Sequence, residues 1–292
     1  MARRSRRILA LPLVATLASW AASCGGSPAK PTPSPSVTSA ASSTANTPPI
    51  VAALTAQGAR RAQPPALADA GEELVVTAAV TDAETPVDRL TFAWSSSAGS
   101  FSGQGPTVRW RAPASVPAPL VATLRLEVVD GDQRVERTLA VHVHDHVREV
   151  GDMATLFLSD FSNSATPVGT VMRNFLPGCY GTADETSDVE IVRRNFLHVS
   201  TRLDPPAVTV EFDGRCPYEN RAGDACSVSF VRWETRKIPS GEREVVEGRD
   251  QVAAVYRQDR WWLCDSRWDG RRVSGSGTLQ RLLMRQPQPS SR

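Results

Sequence analysis

The stretch Leu120-Val121-Ala122-Thr123-Leu124-Arg125-Leu126-Glu127-Val128-Val129-Asp130 decides the fold class of the first half of this chain. Successive strand side chains point to opposite faces, so Leu124, Leu126 and Val128 share one side while Thr123, Arg125 and Glu127 take the other. A sheet packed on one side only has this alternation. Working outward, the same period of two runs through 73–81, 89–95, 107–111 and 134–144, with Pro, Gly, Asp and Ser clusters between the runs. About seven short strands in roughly 100 residues predict a β-sandwich over 49–146.

Further motifs give that sandwich a likeness. Thr47-Pro48-Pro49-Ile50, Asp82, Leu90-Thr91-Phe92-Ala93-Trp94-Ser95, Ala98-Gly99-Ser100-Phe101, Val108-Arg109-Trp110-Arg111-Ala112-Pro113 and Val128-Val129-Asp130-Gly131 resemble the PKD-like immunoglobulin-type domain. The resemblance implies that Trp94 is the core tryptophan of the third strand. It also implies a spacer or a module that contacts proteins or glycans. Two constellations invite a sharper reading. Asp82, Glu84, Asp88, Asp130 and Asp132 are acids near strand ends, but they lack calcium-loop spacing and read as turn formers. His142 and His144 fall on one strand face, near enough to share a metal, yet their alternation with Val141 and Val143 places them on the solvent side. No metal or other cofactor is expected.

From Val147 the period changes. Val150, Met153, Ala154, Phe157, Leu158 and Phe161 recur at helical spacing, and Thr166-Pro167 opens a second helix that Pro177-Gly178 stops. Thr182-Ala183-Asp184-Glu185 predicts a third helix with a capping box, in which Glu185 reaches back to the helix start. Strands then follow at 196–202, 207–213, 225–234, 244–258 and 261–268. Helices followed by strands indicate an α+β domain, with helices packed on a curved antiparallel sheet over 147–270. This order, ending in Tyr256-Arg257-Gln258-Asp259-Arg260-Trp261-Trp262-Leu263-Cys264-Asp265-Ser266, looks like the cone fold of the nuclear transport factor two and ketosteroid isomerase superfamily. The resemblance implies a pocket in the concave sheet, for which His198, Trp233 and Trp262 are the candidate wall residues. No catalytic set of that superfamily carries over residue by residue, so no catalytic residue is assigned.

The chain's beginning reads as an address. Arg3, Arg4, Arg6 and Arg7 precede an apolar run from Ile8 to Trp20, too short to span a bilayer and typical of a secretory signal over 1–23. Ala21-Ala22-Ser23-Cys24-Gly25 resembles a bacterial lipobox, which implies that Cys24 carries a diacylglyceryl thioether and palmitate-type chains. Each buried methylene contributes about 0.8 kcal/mol, so such an anchor holds to a membrane. Gly25, rather than Asp, after the cysteine implies the outer membrane or cell surface in the lipoproteins it resembles. Residues 24–48 are rich in Pro, Ser and Thr with one charge at Lys30, and cannot bury enough apolar area to fold. They form a tether, reaching between roughly 25 Å as a coil and roughly 70 Å extended.

The formal charge of +2 becomes about −2 once the four signal arginines are set aside. Arg271, Arg272, Arg281, Arg285 and Arg292 collect in the last segment, 271–292, which reads as a flexible basic tail around a short turn at 279–284. The middle is therefore acidic and offers no footprint for nucleic acid. With Cys24 lipidated, Cys179, Cys216, Cys226 and Cys264 are four in an exported space, where disulfides form. Three pairings are possible. Cys216 with Cys226 suits a loop between adjacent strands, which leaves Cys179 with Cys264; a four-cysteine zinc site lacks any Cys-x-x-Cys pair. The expected role is a non-catalytic envelope lipoprotein that contacts a protein, a glycan or a surface. The alternative is a tethered small-molecule binder or ketosteroid-isomerase-like enzyme. A cavity plugged by tryptophan favours the first, and an open apolar cavity with convergent polar groups favours the second.

Overall fold

A computed structural model describes residues 45–179, 181–214 and 223–284. Cys24, Cys216 and most of the tether lie outside the described residues. The molecule is mostly β, with 49% of residues in strands and 20% in helices, arranged in several sheets. The described residues belong to one compact unit, 45–292. No helix among them is long and apolar enough to cross a membrane.

The first strands in chain order are β1 (Ile50–Gln57), β2 (Leu67–Asp69), β3 (Glu73–Thr81), β4 (Thr91–Ser96), β5 (Ser100–Ser102), β6 (Thr107–Arg111), β7 (Leu120–Asp130) and β8 (Gln133–His144). They form two four-stranded sheets, in the orders β1-β3-β6-β5 and β2-β8-β7-β4. The alternation predicted for β7 is realised, with Ala122, Leu124, Leu126 and Val128 buried between Val121, Thr123, Arg125 and Glu127. Leu74 and Val76 of one sheet share a cluster with Leu124, Val141 and Val143 of the other. Trp94 is not the deepest tryptophan. It is only partly buried and its indole N–H donates to Gly105 O at 3.0 Å, whereas Trp110 on β6 is fully buried. Gly99 makes room for it: a side chain there would strike the Trp110 ring, and its φ of +75° suits glycine. Asp82 accepts the backbone N–H groups of Glu84 and Thr85 and so closes a turn.

The chain continues with α1 (His146–Ser162), the single turn α2 (Val168–Val171), α3 (Thr182–Asn195), β9 (Phe196–Leu203), β10 (Ala207–Val210), β11 (Ala225–Lys237), β12 (Arg243–Arg257), β13 (Arg260–Ser274) and α4 (Thr278–Leu283). Asp145 caps α1 by accepting the Arg148 N–H. Its apolar face, Val150, Ala154, Phe157, Leu158 and Phe161, packs on the antiparallel sheet built from β11, β12 and β13, with β9 and β10 on the outer edge of β11. The helix predicted after Thr166 shrinks to α2 and a following 3-10 turn (Met172–Asn174), because the chain then turns to lie along β13, where Leu176 N–H donates to Leu263 O at 2.9 Å.

The basic tail expected from Arg271 is instead part of the fold as far as Met284. β13 runs to Ser274, and Leu279 of α4 is fully buried against the sheet. Glu244 makes this possible, since its carboxylate accepts the N–H groups of Thr278 and Leu279 and caps α4.

His144 overturns its predicted exposure. It does lie outside the core shared by the two N-terminal sheets, but β12 and α1 cover it, and it is 2% exposed. Its Nδ1 lies 2.9 Å from Glu149 Oε2 and its Nε2 lies 2.9 Å from Tyr256 Oη. Both ring nitrogens are thus engaged, and among the described residues no group of three metal-ligating side chains forms. His142 is half-buried. Next to His144, the Trp261 indole donates to His146 Nδ1 at 3.0 Å, and burial holds the His146 imidazole down to a pKa of about 4. These contacts tie β8 to β12 and the start of α1 to β13. Tyr256→Phe is expected to lower unfolding free energy by about 1–2 kcal/mol, because His144 Nε2 loses its buried partner. Urea denaturation followed by tryptophan fluorescence checks this.

Candidate functional site

The helix-covered face of the β11–β13 sheet contains the groups most out of keeping with a hydrophobic core. Along β12 the inward positions are Val246, Gly248, Asp250, Val252 and Ala254, so Asp250 interrupts an apolar series and is 3% exposed. Its register partner on β13 is Trp268, and two residues earlier on the same strand face Ser266 donates its hydroxyl to Asp250 Oδ1 at 3.2 Å. Gly270 leaves space for the Trp268 indole, because a side chain there would strike the ring. Across the cavity, the first turn of α3 carries Glu185, 8% exposed.

Glu185 does not complete the predicted capping box. Gly181 stands at the cap position, the Thr182 hydroxyl donates to Leu176 O at 2.8 Å, and Glu185 faces the cavity instead. The start of α3 is held by Cys179 and Cys264, a pair at disulfide distance with Cα atoms 5.4 Å apart. That contact brings together two of the cysteines paired in the sequence reading. The Cys216–Cys226 pairing lies outside the described residues.

The cavity between α3 and the sheet measures about 30 Å³, room for about one water-sized group. Its polar wall is Glu185, Asp188, Asp250 and Ser266; its apolar wall includes Phe157, Phe161, Trp233 and Trp268. Phe161 and Trp233 lie 5.3 Å apart and Trp233 and Trp268 6.3 Å apart between ring centres, in tilted pairs that leave little free space beside them. Asp188 of α3, Ser266 of β13 and Leu283 of α4 are the partly exposed members of the wall.

None of the wall residues is basic. Burial raises the Asp250 carboxyl to a pKa of about 7 against the opposing hydrogen bond from Ser266. Burial, followed by the carboxylates of Asp250, Asp188 and Asp184, pushes Glu185 well above the usual carboxylate range. Two acids in one low-dielectric space keep their protons to a higher pH than exposed carboxyls do. In that form each can donate a hydrogen bond, and each can release a proton when a positive charge arrives. Trp268 adds an unmet group, since its buried Nε1–H has no acceptor among the described residues.

Of the three pocket residues named from the sequence, only Trp233 lines this cavity. Its indole donates to Ser162 Oγ at 2.8 Å. His198 sits behind it, with ring centres 5.7 Å from Phe161 and 6.2 Å from Trp233, and burial lowers its pKa to about 4. Trp262 is on the other side of the sheet hairpin, covered by the Arg260 guanidinium 3.6 Å from its ring centre. Asp250 and its neighbours were missed, although an acid at an inward position of an alternating strand was a readable signal. No family model matches the chain, and no curated protein is detectably similar to it.

Proposed function

We propose that this chain is a cell-envelope lipoprotein, anchored through Cys24 and acting as a non-catalytic binding module. In this reading, 49–146 is an immunoglobulin-like sandwich of PKD-like type. The part over 147–270 is an α+β, cone-like domain whose helices cover a curved sheet. The observation that carries the non-catalytic choice is the plugged concavity: Phe161, Trp233 and Trp268 leave a cavity of about 30 Å³. Such a space can hold a side group of a larger partner but not a whole substrate of drug-like size. The second reading, a small-molecule enzyme of the ketosteroid-isomerase kind, is favoured by the Glu185–Asp250 pair, since acids with raised pKa values suit proton transfer. Partners on the first reading are the membrane through its lipid and an envelope protein or glycan.

Expression of the full chain in a bacterial host with labelled palmitate tests the anchor. Wild type is expected in the membrane fraction and labelled, and Cys24→Ser is expected soluble and unlabelled with an unchanged circular dichroism spectrum. A soluble, unacylated wild type would remove the envelope reading. Proton exchange at the α-carbon of carbonyl compounds, fast with wild type and lost in Asp250→Asn, would transfer the choice to the enzyme.

A further inference from the structure

We infer that the joint between the N-terminal sandwich and the helix-covered sheet is an acid-opened latch, in which a proton taken up at His146 Nδ1 drives the Trp261 indole away and lets the two parts separate with their own cores intact. This device goes beyond the binding role proposed above and does not depend on it. The Trp261 indole N–H can only donate, and it meets His146 Nδ1 at 3.0 Å. Nδ1 is therefore the bare acceptor, and the one ring hydrogen sits on Nε2. That nitrogen is buried without a partner among the described residues. The closed joint thus holds the imidazole neutral and in a single tautomer. A second proton has only Nδ1 to occupy, where its hydrogen would face the indole hydrogen across a hydrogen-bond distance. Two donors so placed repel, and the imidazolium and the closed joint exclude one another.

The groups around the ring act in the same sense on balance. Burial is the largest influence and lowers the His146 pKa to about 4; the Asp69 carboxylate on β2 opposes it, His144 on β8 and Arg60 in the loop before β2 reinforce it, and Glu149 on α1 opposes it. Tyr256 on β12 faces both imidazoles edge-on, and burial raises its hydroxyl, which keeps its proton. The uncharged rings of Phe212 and Trp261 also stand edge-on to His146. The joint itself is slight. No strand pairing crosses it, and among the described residues Leu67 of β2 is the one buried sandwich side chain that joins the core of the second part. Polar ties complete it: Asp69 Oδ1 accepts the His146 backbone N–H at 3.2 Å, and the Arg148 guanidinium donates to Val116 O at 3.0 Å. Asp145 alone separates β8 from α1, so rotation about one residue can part the two bodies. A boundary of this kind opens at lower cost than either core melts.

The direction with pH follows from proton binding. In the open joint His146 returns to its ordinary value of 6.5, so the open form takes the proton first and closure weakens as pH falls from 6.5 towards 4. The open fraction is expected to rise about thirtyfold between pH 8 and pH 5. Hydrogen exchange followed by NMR on the full chain, at both pH values and several low urea concentrations, measures it. The reporters are the Trp261 indole N–H and the His146 amide, each bonded across the joint. Corrected for intrinsic rates, they are expected to exchange about thirtyfold more readily at pH 5, with little dependence on urea. Amides of β7 and β12 are expected to stay more protected and to keep the steep urea dependence of global unfolding. His146→Gln has no titrating ring and is expected to lose the pH step, whereas His142→Gln keeps it. Each ratio is taken within one variant, so a change in stability does not mask it. Should His146→Gln fail to fold, Trp261→Phe replaces it: with no indole hydrogen against Nδ1, the step read at the His146 amide is expected to shrink. Reporters that exchange only together with β7 and β12, equal exchange at the two pH values, or a full step in His146→Gln would overturn the latch.

Discussion

Asp250→Asn is expected to raise the unfolding free energy at pH 8 by up to about 4 kcal/mol and to leave it nearly unchanged at pH 3. The sign follows from proton binding. In the folded chain Asp250 ionises at about 7, while in the unfolded chain it returns to its ordinary value of 3.8. Between those values the folded state keeps a proton that the unfolded state releases, so stability is full below pH 3.8 and is lost as pH rises through 7. The amide removes this loss and can still accept from Ser266, which lies 3.2 Å away. Glu185→Gln is expected to act in the same direction, since burial and three neighbouring acids raise its carboxyl. Chemical denaturation across pH 3 to 9 measures both variants against wild type. If Asp250→Asn destabilises at pH 8, the carboxyl is ionised and partnered in the fold, and the uncompensated cavity described above does not exist.

The Cys179–Cys264 link is expected to matter on a similar scale, for a different reason. Its ends are 85 residues apart in sequence, and closing a loop of that length restrains the unfolded chain by about 4.5 kcal/mol. Replacing both cysteines with serine is therefore expected to lower the urea midpoint by an amount equivalent to about 3–5 kcal/mol at unchanged slope. The pair also holds the start of α3 against β13, the arrangement that aims Glu185 into the cavity. Loosening it should raise hydrogen exchange over 181–188 more than over β7, whose residues Leu124 and Leu126 are fully buried in a different core. Equal exchange in both places would separate the disulfide from the site.

Much of the fold was legible because burial imprints a period. β7 and β8 alternate in sequence and alternate in exposure, and α1 repeats its apolar residues at the spacing that faces the sheet. The short strands β2 and β5, of three residues each, have no room for a period and were not read. The end of the chain was misjudged because Leu279 and Leu283 are spaced as a single helical turn, and only their docking on the sheet and the Glu244 cap make α4 worth forming.

Local sequence by itself determined the strand and helix periods, the number of cysteines, and the acidic balance of the middle of the chain, because each depends on residues within a few positions of one another. Tertiary structure alone decided which polar groups would leave water. Glu185 and Asp250 are 65 positions apart and line one cavity only because α3 packs against the sheet beside β13. His144 was read as solvent-facing until β12 and α1 closed over it. A side chain's surroundings, unlike its periodicity, are set by elements distant in the chain, and it is those surroundings that hold a carboxyl protonated or bury an imidazole.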